Sequence, residues 1–95
     1  MKHPIVYILA SNRNGTLYVG VTADLCKRIT EHKQDVVEGF SQQYQVHTLV
    51  WYEHHPTMQS AINREKQIKK WNRAWKLELI EDVNPVWKDL SNELI

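Results

Sequence analysis

At 95 residues, 42% of them hydrophobic and 24% charged, the chain has the composition of one folded domain and too little length for a second lobe that could enclose a deep pocket. A single cysteine, Cys26, excludes an intramolecular disulfide and a thiolate-rich zinc site, and suits a reducing cytoplasm. The net charge of +1 conceals a division: residues 1–76 carry eleven Lys and Arg against six Asp and Glu, while residues 77–95 carry one against five, so a basic body that could face a polyanion is joined to an acidic end.

Ile5 to Ala10 is an apolar run and Thr16 to Val21 a second β-rich one, with Asn14-Gly15 between them able to supply the positive φ angles of a hairpin. Gly20, inside the second run, marks a close approach by another group or a bulge. Thr22 or Asp24 can cap a helix running to about Val37 and ended by Gly39, with Leu25, Ile29 and Val36 on its buried stripe. His32 falls on or beside that stripe, and Cys26 is expected to be a small buried or half-buried residue of its first turn.

Residues 38–45 read as a polar loop, followed by a third strand from Val46 to Glu53. His54 and His55 fall in a break; as neighbours on an extended segment they point to opposite sides and do not grip one metal ion. Thr57 caps a helix from Met58 to about Trp71, Asn72 caps another through Glu81, and Asn84-Pro85 is expected to start a short final helix in which Trp87 and Leu90 pack back. The expected fold is α+β, a small three-stranded antiparallel sheet flanked by helices in the order ββαβαα, forming a single domain over residues 1–95. No apolar run approaches the roughly 18 residues of a membrane helix and no basic-then-apolar leader opens the chain, so a cytoplasmic protein with no membrane partner is expected.

Chemistry concentrates in a few positions. Arg28 and His32 stand one helical turn apart and can reach one ligand together, the guanidinium offering a fixed fork of donors to phosphate oxygens. Glu65 interrupts the apolar side of the Met58 helix, where a carboxylate needs either a neighbouring base such as Arg28, Arg64 or Lys69, or a divalent cation. Magnesium is satisfied by one or two protein carboxylates, water and substrate phosphate. Around Glu65 lie Arg64, Lys66, Lys69, Lys70, Arg73 and Lys76, interleaved with Trp71 and Trp75, a pattern suited to phosphate pairing. The indoles themselves are expected in the core.

Over nearly its whole length the chain resembles the GIY-YIG nuclease superfamily, and within it the small UPF0213-like bacterial proteins. Ile5-Val6-Tyr7 stands at the first motif triplet and Tyr18-Val19-Gly20 at the second, with Ile5 in place of a glycine and Val19 in place of an isoleucine. Arg28 and His32 match the first helix, and the stretch from Ala61 to Trp71 is similar to the one bearing the family's metal-binding glutamate.

The resemblance implies a DNA endonuclease in repair or processing, using a single magnesium or manganese ion. Tyr7, Tyr18, Arg28 and His32 would be catalytic, Glu65 would hold the metal, and Lys66, Lys69, Lys70 and Arg73 would bind nucleic acid. A family-type asparagine would be Asn72 or Asn84. Larger members attach DNA-binding domains for which no length remains here, so weak, salt-sensitive binding is expected, with branched, nicked or single-stranded DNA as substrate, or action with a protein partner. The alternative is a nucleic-acid-binding module that keeps the fold and does no useful hydrolysis alone; a third reading is a protein-interaction domain that docks a partner through its acidic end.

Overall fold

A computed structural model describes residues 3–12, 15–33 and 47–94. Two strands, β1 (Ile5–Ala10) and β2 (Leu17–Thr22), precede helix α1 (Leu25–Lys33); strand β3 (Thr48–His54) is followed by α2 (Met58–Lys69), α3 (Arg73–Val83) and a 3₁₀ turn over Leu90–Leu94. The sheet order is β2-β1-β3, antiparallel throughout, so the α+β fold expected from the sequence is the observed one.

All six residues of β1 are buried, as a continuous apolar strand requires when both faces of a sheet are covered. Side chains alternate along it. Val6, Ile8 and Ala10 meet Ala61 and Ile68 of α2, Ile80 of α3 and Trp87, while Ile5, Tyr7 and Leu9 meet Leu25 and Ile29 of α1, Leu49 and Leu90. A register shift between Ile8 and Leu9 leaves Val50 as the extra residue of β3, Ile8 pairing with Trp51 and Leu9 with Leu49.

Local capping fixes the helices. The Asp24 carboxylate accepts from Lys27 N at 3.2 Å, Thr57 Oγ1 from Ser60 N at 3.1 Å and Asn72 Oδ1 from Trp75 N at 2.9 Å, each satisfying an orphan donor of a first turn. In the hairpin, Ser11 N donates to Thr16 O and Thr16 N to Ser11 Oγ, both at 3.0 Å.

Three expectations change. No helix starts at Pro85. Asn84 is instead the C-cap of α3 and is 2% exposed; its Nδ2 donates to Val50 O at 3.1 Å and Lys88 O at 2.9 Å, and its Oδ1 accepts from Lys88 N at 3.1 Å. Trp87 then adopts φ 58°, a left-handed conformation that no helix continues through. Its burial and the 2.8 Å bond from its indole N–H to Glu81 hold it there. Cys26 is exposed, because Leu25, Ile29 and His32 define the buried line of α1 and position 26 lies about 100° away from Leu25 around the helix. Trp75 is 54% exposed. The extension of α1 through Val36 to Val37, the Gly39 stop, the loop at 38–45 and Val46 all fall outside the described residues. Among the described residues no helix is long and apolar enough to cross a membrane.

Candidate active site

The site begins with a missing side chain. Tyr7 pairs with Gly20 across β1 and β2. A Cβ on that glycine would lie 2.5 Å from Cζ and Oη of Tyr7 and 2.9 Å from Cε1 of Tyr18. Glycine at 20 is what lets the Tyr7 ring lie flat over the second strand, and the two phenols come together there, their ring centres 6.2 Å apart.

Helix α1 completes the group from above. Its core stripe reads Leu25, Ile29, His32, so the helical period that buries two aliphatic residues also buries an imidazole. His32 lies 5.2 Å from Tyr18 and 6.1 Å from Tyr7 between ring centres, and its Nε2 is 3.3 Å from Tyr7 Oη. Burial, reinforced by the positive charge of Arg28, pushes its pKa below the ordinary histidine value of 6.5. A neutral imidazole suits a buried hydrogen bond to a phenol.

Tyr7 is 1% exposed, and its phenol is pushed well above the usual tyrosine range, first by burial and then by Tyr18, against an opposing pull from Arg28. Tyr7 is therefore held protonated at neutral pH. Tyr18, only partly buried, is the phenol nearer solvent.

Arg28, one turn before His32, acts electrostatically on both Tyr7 and His32. Its side chain is 40% exposed, with Nε 3.8 Å from Glu31, a loose surface pair of little energetic weight. It lines a polar hollow of about 370 Å³ with Thr22, Asp24, Lys27 and Glu31. The guanidinium thus stands beside the aromatic cluster with open space next to it.

Glu65 stands apart from that cluster by its contacts. Its side chain is 15% exposed on α2, and its carboxylate meets Lys69 Nζ at 3.4 Å, its ion-pair partner among the described residues. Lys69 and Lys76 border a shallow hollow of about 260 Å³ with Leu17, Tyr18 and Val19, so Lys69 touches the acid on one side and the tyrosine's surroundings on the other. Among the described residues no group of three or more His, Cys, Asp or Glu gathers into a ready-made metal cage.

Lys66 is exposed on α2 and Lys70 is exposed at its C-cap. Arg73 turns towards the hairpin and donates from Nη2 to Gly15 O at 2.6 Å. Lys76, one of the basic residues that the sequence gathers around Glu65, borders the hollow beside Tyr18 together with Lys69. Both asparagines hold the scaffold: Asn72 caps α3 and Asn84 ties α3 to β3. His55 is also structural, its ring bonded to Glu53 at 2.6 Å and to Ser60 at 3.0 Å.

The sequence profile of the GIY-YIG catalytic domain matches residues 3–78. The chain is 32% identical over 81 residues to a UPF0213 protein of Staphylococcus epidermidis, an alignment covering 85% of this chain and 96% of that one. It is 33% identical, with the same coverage, to a UPF0213 protein of Staphylococcus saprophyticus. The solution structure of a UPF0213 protein from Bacillus halodurans superposes with a TM-score of 0.57 at 26% identity, covering 94% of this chain and 93% of that one. Matching motif residues that meet in space, a profile match over most of the length and relatives aligned over most of both chains lead to one assignment: the chain belongs to the GIY-YIG nuclease superfamily, as a small UPF0213-like member.

Proposed function

We propose that this protein is a divalent-metal-dependent DNA endonuclease, and the observation that carries the reading is the meeting of Tyr7, Tyr18 and His32 over Gly20 with Arg28 beside them. Tyr18 orients and activates the attacking water, being the more accessible phenol. Tyr7, kept protonated by burial, and neutral His32 fix the position of Tyr18 and take part in proton relay. Arg28 neutralises charge developing on the phosphoryl oxygens.

The donor set fits a magnesium or manganese ion of the kind that needs few protein ligands: Glu65 offers one hard carboxylate, and Lys69, 53% exposed, can swing from it onto a phosphate. Glu65 would hold the ion, which when bound would act as a Lewis acid on the scissile phosphate. Lys66, Lys69, Lys70 and Arg73, with Lys76, would follow the DNA backbone. Contacts of this kind, made by side chains that pair with phosphate rather than with base edges, favour structure over sequence and so branched, nicked or single-stranded DNA, in repair or processing within the cytoplasm.

Supercoiled plasmid incubated with the purified protein and magnesium or manganese tests the reading. Nicking that is lost in Glu65→Ala and in Arg28→Ala supports it; nicking that persists unchanged in both overturns it. The Glu65–Lys69 ion pair favours a second reading, a nucleic-acid-binding module without turnover of its own. Salt-sensitive gel shifts with no cleavage under either ion would select that reading.

A further inference from the structure

Helix α3 carries two opposite chemistries. Ile80 is buried, and Lys76 turns towards the hollow beside Tyr18. Trp75, Glu78, Leu79 and Asp82, spaced as one helical face, turn outward with Trp71 and line a separate depression of about 270 Å³. Trp75 is 54% exposed and Val83, two turns on, 67%. Val83 borders the neighbouring hollow with Lys88 and Glu93, so exposed apolar side chains run from one depression to the next along this helix, the form of surface that suits a docked segment.

Charge decides which molecule. Among the described residues, Glu78 and Asp82 have no ion-pair partner, and Glu81 gives its carboxylate to the Trp87 indole on the same acidic helix. Two free carboxylates bordering the aromatic floor repel a phosphate backbone and attract a cation. The indole pair already takes one: the Arg64 guanidinium lies 5.2 Å from the centre of the Trp71 ring, and Trp71 packs edge-to-face on Trp75 at 5.9 Å. Trp75 presents a comparable ring to solvent, flanked by the two acids.

We propose that this face of α3 docks a basic amphipathic segment of a partner protein, an arginine or lysine seated on Trp75 between Glu78 and Asp82 and an aliphatic side chain on Leu79 and Val83. The surface is separate from the aromatic cluster and opposite in charge from the lysines of α2, so a partner bound here leaves the DNA-facing side clear. This inference stands independently of catalysis.

The test uses the full chain labelled with ¹⁵N and three probes: a synthetic amphipathic helix of arginine and leucine, the same peptide with glutamate for arginine, and a single-stranded oligonucleotide. The expected result is that the basic peptide alone shifts the Trp75 indole N–H and the amides of Glu78, Leu79 and Asp82. Its affinity should weaken about tenfold or more in Trp75→Ala and in the Glu78→Lys, Asp82→Lys double variant. Both variants alter exposed positions, and an unchanged amide spectrum elsewhere confirms their fold. Equal binding of the acidic peptide, oligonucleotide shifts at these same signals, or unchanged basic-peptide affinity in the double variant would each overturn the proposal. So would a concentration-dependent dimer that Trp75→Ala dissolves, because a second copy would then be the occupant.

Discussion

Gly20 lies under the phenol of Tyr7, with space for no further carbon: an added Cβ would be 2.5 Å from the ring's Cζ and Oη. Gly20→Ala must therefore displace Tyr7 or spread β1 from β2. Overpacking of this kind costs about 1–3 kcal/mol, and each kcal/mol lowers the melting temperature of a domain this size by about 4–8 °C. A thermal melt followed by circular dichroism reads the loss. In a Tyr7→Ala background the two 2.5 Å clashes are gone and the 2.9 Å approach to Tyr18 Cε1 is what remains, so the double variant should be destabilised by less than the sum of the two single losses.

The two tyrosines should separate kinetically. Tyr18→Phe removes the accessible hydroxyl, and the expected fall in kcat is about 10²- to 10⁴-fold, the range for loss of a positioned acid or base. Tyr7→Phe removes a buried hydroxyl bonded to His32; it should lower stability by about 1 kcal/mol and reduce kcat less. Plasmid nicking rates and urea titrations on both variants check the pair.

His32 makes stability depend on pH. Burial lowers its folded pKa below 6.5, so on acidification the unfolded chain takes up this proton first. The sign follows from linkage: the contribution is fully present above about pH 6.5, and is lost progressively as pH falls from there towards the folded value, below which it levels off. Urea unfolding at about pH 5 and about pH 7.5 should show a smaller difference in His32→Gln than in the parent protein.

Asp89 fastens three parts of the fold. It accepts from Lys33 Nζ at 2.7 Å, from Leu49 N at 3.2 Å and from Ser91 N at 3.0 Å. Burial pushes its pKa up, but hydrogen bonds from Lys33 and Ser91 outweigh burial and hold it below the usual aspartate value of 3.8. Its stabilisation is present above that value and lost as pH falls through the folded pKa. Asp89→Ala leaves the Leu49 amide without its acceptor, and chemical denaturation should record a loss of about 1–3 kcal/mol.

Much of this architecture was legible because it is written locally. The hairpin between two β-rich runs, the caps at Asp24, Thr57 and Asn72, and the continuous apolar run of β1 each depend on neighbours in sequence. Gly20 was legible as a point of close approach, although only the strand register names Tyr7 as what approaches. The segment after α3 was not. Asn84-Pro85 has the form of a helix start, but Asn84 is held by Val50, a residue 34 positions earlier, and no local pattern carries that bond. The exposure of Trp75 is hidden for a related reason: α3 buries Ile80 and leaves its outer face uncovered, and an indole's apolar character does not reveal which face it occupies. At the site, Tyr7, Tyr18 and His32 follow from motif and period, whereas the tie between Glu65 and Lys69 depends on rotamers that spacing leaves open.

Because β1 is the middle strand, paired on both edges and covered on both faces, Tyr7 cannot loosen by fraying at a margin. Its amide should be among the slowest to exchange with deuterated solvent, and heat should abolish the arrangement of the phenols only when the whole domain melts. Regulation of this protein would then have to work through access to an already assembled centre rather than through assembly of the centre itself.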